Sequence, residues 1–238
     1  MDVIKPDCII HCAAMTNVDE CENEIYKADD ININGTDYLV EQANKKNIKF
    51  VYISTDYVFP GRKNEYKEDD ERKPTCAYGF TKFEGEKIAE KLEDFIIARV
   101  TIPYTWKKPS TKNNFANWLI DENKKDKEVK IVIDQYNNPT YVPNAAENIL
   151  KLIEMNANGK FSITGRDCLS RYEFAIKIAK VFDLNESLII PCLTSELNQF
   201  ARRPRYINTN TEKAQKIGLE ILTVEEGLRR MKGDLIER

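Results

Sequence analysis

Tyr78 and Lys82 stand four residues apart in the run Tyr-Gly-Phe-Thr-Lys that follows Pro74, so on a helix they share one face, a turn apart. A free phenol, with a pKa of about 10, exchanges protons poorly at neutral pH. A neighbouring ammonium stabilises the phenolate and draws that value toward the working range. The pair is therefore a unit for protonating or deprotonating an alcohol or carbonyl oxygen. Two such residues at this spacing also occur by chance, so the pair needs company. It has some: the apolar run 51–53 passes directly into Ser54, Thr55 and Asp56. In an open parallel sheet ligands sit beyond the carboxyl ends of the strands, and the Ser54 and Thr55 hydroxyls would enter the cleft that the Tyr78 helix borders. The small residues Ala13 and Ala14, then Thr16, end the preceding apolar run and would let a planar cofactor lie close to the backbone.

Other chemistries are excluded by residue type. The 238 residues contain one histidine, His11, whereas histidine zinc sites, Ser-His-Asp triads and Cys-His pairs need an imidazole at the reacting centre. His11 lies in the apolar run 8–14 and reads as a structural histidine. The six cysteines form no Cys-x-x-Cys and read as reduced thiols. The acidic run 68–71 could hold Mg²⁺, but nothing in its spacing demands a metal, and none is expected. Thirty-six basic against 39 acidic side chains leave a net charge of -3, which argues against nucleic acid or an anionic membrane as partner. No apolar run approaches the roughly 20 residues of a membrane span, so a cytoplasmic protein is expected.

The elements that must position these groups alternate. Strands are predicted at 7–14, 49–59, 94–102, 129–134, 160–164 and 188–193. Helices are predicted at 22–46, 77–92, 112–125, 145–156, 171–182, 211–217 and 223–236. Such alternation predicts a mainly parallel sheet with helices on both faces, and the nearly unbroken apolar character of the first three strands suits strands covered on both sides. Beyond about residue 104 the pattern loosens into turn-rich stretches at 104–112 and 135–143 and a long loop at 193–205. Residues 1–104 are expected to carry the catalytic motif. Residues 105–238 are expected to form a smaller lobe interwoven with the last part of the sheet, since no Gly/Ser linker separates the halves.

The ordered set Cys12-Ala-Ala-Met-Thr-Asn-Val-Asp19, Ser54-Thr-Asp-Tyr-Val-Phe59, Tyr78-x-x-x-Lys82, Asn113-Asn-Phe115, Asp134-Gln-x-x-x-Pro-Thr140 and Ala201-Arg-Arg-Pro204 resembles the extended short-chain dehydrogenase/reductase superfamily, in its dTDP-4-dehydrorhamnose reductase branch. The resemblance spans nearly the whole chain. It implies an α/β fold: an incomplete Rossmann-like doubly wound parallel sheet with a small C-terminal substrate-binding lobe. It further implies reduction of the 4-keto group of a nucleotide-linked deoxysugar with NADP or NAD as cofactor. In that reading Tyr78 protonates the sugar oxygen, Lys82 lowers the phenol pKa and holds the nicotinamide ribose, and Thr55 hydrogen-bonds the reacting oxygen. Ala13, Ala14 and Thr16, with Tyr78 and Lys82, line the cofactor. Asp56, Asn114, Phe115 and Arg203 face the nucleotide-sugar, the arginine because a guanidinium fork suits a diphosphate. Asn114 could equally cap the helix after it, and Arg203 could be a surface charge. The same branch contains proteins resembling the methionine adenosyltransferase β subunit, so a non-catalytic regulatory subunit is the alternative, and a nucleotide-sugar epimerase or dehydratase a third reading.

One family feature is missing. The nine glycines never fall within three residues of one another, so residues 1–238 hold no Gly-x-x-Gly-x-x-Gly turn to cradle a pyrophosphate. By the size of a βαβ unit, roughly fifty to sixty family residues have no counterpart here. Two expectations follow: weakened NAD(P)H binding by this chain, and a first strand left at a sheet edge, covered by a homodimer mate or another subunit.

Overall fold

The computed structural model describes residues 4–62, 64–106 and 113–236. Its longer strands are β1 (Cys8–His11), β2 (Lys49–Thr55), β3 (Phe95–Val100), β4 (Val129–Val132), β5 (Gly159–Ser162) and β6 (Ile189–Cys192). Its longer helices are α1 (Val18–Asn23), α2 (Gly35–Lys46), α3 (Ala77–Ala89), α4 (Phe115–Asn123), α5 (Val142–Glu154), α6 (Arg171–Phe182) and α7 (Val224–Ile236).

The main sheet runs β1-β2-β3-β5, every pair parallel. Side chains alternate across it, as a period of two requires. Phe50, Tyr52 and Ile97 pack with Val40 and Ala43 of α2 and Ile88 and Ala89 of α3. Val51, Ile96 and Ala98 face the other way, onto Ala145, Ile149 and Leu152 of α5 and onto Ala214, Leu219 and Ile221. Both faces are thus covered, the doubly wound arrangement expected from the sequence. Burying each large apolar side chain in these layers contributes about 1.5–3 kcal/mol.

β1 is an edge of this sheet among the described residues. Its Ile10 is 42% exposed, whereas Phe50, Val51 and Tyr52 of the neighbouring strand are fully buried. The second half of the chain supplies β5 to the sheet and a separate core around Leu119, Phe174, Ile178 and Leu228.

Several predicted elements divide differently. The single helix expected at 22–46 is broken into α1, a turn of helix at Ile25–Asp29, a π-helical turn at Asp30–Asn34, and α2. The strand expected at 49–59 ends at Thr55, where the chain enters a 3₁₀ turn, Asp56–Val58, with Thr55 Oγ1 accepting from the Tyr57 amide. Among the described residues β4 and β6 pair only with each other, in parallel, apart from the main sheet. Residue 112, where the third helix was expected to begin, lies outside the described residues; α4 starts at Phe115 because Asn114 caps it. Among the described residues no helix is long and apolar enough to cross a membrane.

Candidate active site

β2 delivers Ser54 and Thr55 to its carboxyl end, and α3 lies across that end. The contact is close. A Cβ on Gly79 would come within 2.4 Å of the Tyr57 carbonyl oxygen, and one on Gly85 within 2.0 Å of the Tyr52 hydroxyl. Glycine at these two places lets the helix settle onto the strand, bringing the Tyr78 ring edge-on to Tyr57 with centroids 5.8 Å apart. The Tyr78 phenol then faces the Thr55 hydroxyl.

Thr55 is held from three directions. Its hydroxyl lies 3.2 Å from Asp56 Oδ1 and receives the Tyr57 amide at 3.3 Å, while Asp56 Oδ2 accepts from the Asn137 amide. A hydroxyl has one proton to give. When Asp56 is ionised that proton goes to the carboxylate, leaving the Thr55 oxygen as an acceptor toward Tyr78. Burial pushes Asp56 up to about 6, against the hydrogen bonds that stabilise its charge. Because Asp56 is 1% exposed and bonded on both oxygens, it orients Thr55; the sequence reading had placed it against the substrate.

Lys82 lies one turn further along α3, its Nζ 3.9 Å from the Tyr52 ring centroid. It is 3% exposed, and burial pushes the ammonium down to about 7, against the attraction of Glu86. Burial likewise pushes the Tyr78 phenol above its ordinary value despite the Thr55 hydroxyl. The expected lowering of the phenol by its lysine neighbour is therefore not what this geometry yields. Desolvation is the largest influence on each of the two groups. A phenol held in this way stays protonated at neutral pH, as a proton donor must be.

A buried, depressed lysine opposes folding at neutral pH. The sign follows from linkage: between about 7 and the unfolded value near 10.4 the unfolded chain binds the extra proton, so stability rises with pH across that window. Lys82→Met, which keeps the length and removes the charge, is expected to stabilise the chain by about 1–3 kcal/mol at pH 7. That advantage should shrink toward pH 10. Urea unfolding at the two pH values measures both; a destabilised variant at pH 7 would show that the ammonium is well paired instead.

The remaining candidates separate. Ala13 and Thr16 are exposed and Ala14 half-buried on the open segment after β1, at the carboxyl end where a cofactor edge would fit. Asn32, on the π-helical turn, fixes this ledge: its amide exchanges hydrogen bonds with the Met15 backbone, at 2.8 and 3.0 Å, and donates to Thr81 of α3 at 2.9 Å. Asn114 is spent on structure, accepting from the Asn117 amide at 3.1 Å and donating to the Thr105 carbonyl at 2.7 Å. Phe115 packs on Phe174 and Trp118 and carries the Arg171 guanidinium 5.2 Å from its ring centroid. Arg203 grips Asp19 with both arms of its fork, at 2.8 and 2.9 Å, and holds that carboxyl below its usual range. It straps the 201–203 loop to α1. His11 is buried, its Nε2 3.1 Å from the Thr36 hydroxyl, and burial pushes it down to about 4, the structural role read from its apolar surroundings.

Sequence reasoning missed what lies behind the site. Ser54 donates to Glu86 at 2.5 Å, and Glu86 takes both arms of Arg99 at 2.8 Å and one of Arg72 at 2.9 Å. Glu86 and Arg99 are fully buried. The only sequence signal was an arginine in the middle of an apolar strand. The Asp134–Thr140 motif also proves to be a hub. Asp134 pairs with Arg205 and accepts from Thr194, Gln135 ties Thr194 and Gln199, Asn137 holds Asp56, and the Thr140 hydroxyl receives the Thr101 amide. In the acidic run 68–71, Glu68 accepts from the Ser162 amide and Asp69 pairs with Lys160.

The family described as RmlD substrate binding domain matches residues 1–236. A dTDP-4-dehydrorhamnose reductase from Aggregatibacter actinomycetemcomitans is 34% identical over 217 residues, 86% of this chain and 72% of the relative. A dTDP-4-dehydrorhamnose reductase from Bacillus anthracis, solved in complex with NADP, superposes with a TM-score of 0.91 at 33% identity, covering 100% of this chain and 83% of the other. Methionine adenosyltransferase 2 subunit beta from Bos taurus is 29% identical over 90% of this chain and 66% of its own.

Proposed function

This chain belongs to the RmlD substrate binding domain family, and we propose that it serves NAD(P)H-dependent reduction of the 4-keto group of a nucleotide-linked deoxysugar. The observation that carries this reading is the meeting of the Thr55 hydroxyl and the Tyr78 phenol at the carboxyl end of β2, with Lys82 one turn away.

In this reading the Tyr78 O–H donates its proton to the carbonyl oxygen as that oxygen gains negative charge. The Thr55 oxygen, its own proton given to Asp56, accepts from the phenol and so orients it, and Asp56 orients Thr55. Lys82, one turn along the same helix, would in its ammonium form hold a ribose hydroxyl of the cofactor and return a proton to Tyr78. Gly79 and the Tyr57 ring keep the phenol from swinging away. The cofactor, when bound, supplies the hydride to the sugar carbon.

The residues present fit the nicotinamide end of such a cofactor better than its pyrophosphate. Ala13, Ala14 and Thr16 lie on the open segment that follows β1, with Ala13 and Thr16 exposed, whereas residues 1–238 contain no glycine-rich turn whose amides would hold the diphosphate. The polypeptide 1–238 is therefore expected to bind NADPH weakly, with no saturation in the low micromolar range. Titration of the purified chain, followed by nicotinamide fluorescence or calorimetry, measures this; micromolar saturation would overturn it.

The relatedness to a methionine adenosyltransferase β subunit keeps a regulatory role as the second reading. A pure binding module has no use for the Thr55, Tyr78 and Lys82 set. Co-purification with a methionine adenosyltransferase, together with absence of turnover, would favour it.

A further inference from the structure

Arg171 is the first residue of α6, and it is mounted rigidly. Its amide donates to the Gln135 carbonyl at 3.0 Å. The preceding Ser170 closes a capping box with Glu173, at 3.1 and 2.7 Å. From this fixed point the side chain runs back toward the catalytic residues. Its guanidinium lies over the Phe115 ring at 5.2 Å and beside the Tyr57 phenol, the ring that meets Tyr78 edge-on at 5.8 Å. Tyr78, Tyr57, Arg171 and Phe115 thus form one continuous wall from the proton donor to the C-terminal lobe.

The charge on this wall is poorly answered. Arg203 also approaches Tyr57, so two guanidinium groups converge on one phenol. Arg203 has its own carboxylate in Asp19. Among the described residues no carboxylate hydrogen-bonds Arg171, and Asp56 reaches it only through space, its oxygens turned to Thr55 and Asn137. A half-buried guanidinium without a carboxylate partner, beside a second cation, is costly in the free protein and favourable once an anion arrives. A planar fork beside an aromatic platform suits an anion with several oxygens in a row.

We infer that Arg171, and not Arg203, is the residue that receives the diphosphate of the nucleotide-linked substrate and so fixes the distance of the sugar from Tyr78. This rests on the proposed reductase reading but is tested by binding, without turnover. The probes are dTDP, thymidine and NADP⁺, titrated calorimetrically into the purified chain and into Arg171→Gln and Arg171→Lys, with circular dichroism confirming that each is folded.

The wild-type chain is expected to bind dTDP at least tenfold more tightly than thymidine. Arg171→Gln should lose at least tenfold for dTDP and nothing for thymidine or NADP⁺. Arg171→Lys, which keeps charge without the fork, should fall between and serves as the test if the glutamine variant does not fold. Unchanged dTDP affinity in the variants overturns the inference, as does a wild type that binds dTDP no better than thymidine, or a loss confined to NADP⁺, which would put Arg171 on the cofactor side. Arg171-dependent dTDP binding in a chain with no reductase activity would leave the inference standing and count against the catalytic reading alone.

Discussion

Tyr78→Phe is expected to lower turnover of a 4-keto nucleotide-sugar by at least about a hundredfold, the usual consequence of removing a general acid, while leaving nucleotide binding unchanged. The substitution takes away one oxygen and keeps the ring. The edge-on contact with Tyr57 at 5.8 Å and the packing against Met15, Cys21 and Ala28 therefore survive, so any loss belongs to proton transfer. Because the phenol lies above its ordinary pKa, the wild-type rate should show no basic limb from Tyr78 near neutrality. The measurement is kcat/KM in a fusion that places a family glycine-rich βαβ unit ahead of residue 4, with dTDP affinity as control. Undiminished turnover would remove Tyr78 from the mechanism, and a matching loss of dTDP affinity would make it a binding residue.

The second large effect lies beneath the site. Arg99→Met is expected to destabilise the chain by about 3–5 kcal/mol, because it leaves the buried Glu86 carboxylate without its bidentate partner. That is a large part of the roughly 5–15 kcal/mol by which a domain is stable. Arg72 and Ser54 still bond Glu86, which places the effect toward the lower end of the range expected for Arg99→Met. The double variant Glu86→Leu with Arg99→Met, apolar on both sides, should recover much of the loss. Burial raises the Glu86 carboxyl, but the Arg99 bonds outweigh it and hold the group below its usual range. Its contribution is accordingly complete above the unfolded carboxylate value and is lost as pH falls through the folded one. Urea midpoints at pH 7 and in acid measure both claims. A single variant as stable as the wild type would mean the pair contributes nothing net.

The network is not incidental to function. Ser54, which it holds, precedes Thr55 on β2, and Glu86 lies one turn beyond Lys82 on α3. The ion cluster thus joins strand and helix directly below the proton donor, and its loss would loosen the contact on which the Thr55–Tyr78 geometry depends.

Much of this molecule was legible from residue order alone. The helix 171–182 was predicted with the boundaries observed, and in the structure its start is fixed by the Ser170–Glu173 capping box, a signal complete within four residues. β2, β3 and the Tyr78 helix followed from apolar period and strand length, and the family followed from motifs that are each local. What resisted were quantities that local pattern does not encode. The π-helical turn at Asp30–Asn34 breaks a long amphipathic stretch so that Asn32 can reach Met15 and Thr81, 17 and 49 residues away in sequence. Arg203 was read as a substrate ligand because its chemistry allows it; Asp19, 184 positions distant, claims both arms of its fork. Asp56 is turned inward by Asn137, 81 positions on. Lys82 was expected to act on the phenol by charge, yet its own ammonium is weakened by burial beneath Tyr52. Residue types and spacing determine which chemistry is available and which faces turn inward. Which charge meets which carboxylate, and how far water is excluded from it, is decided only when distant segments pack, since Coulomb and desolvation energies depend on distance in space.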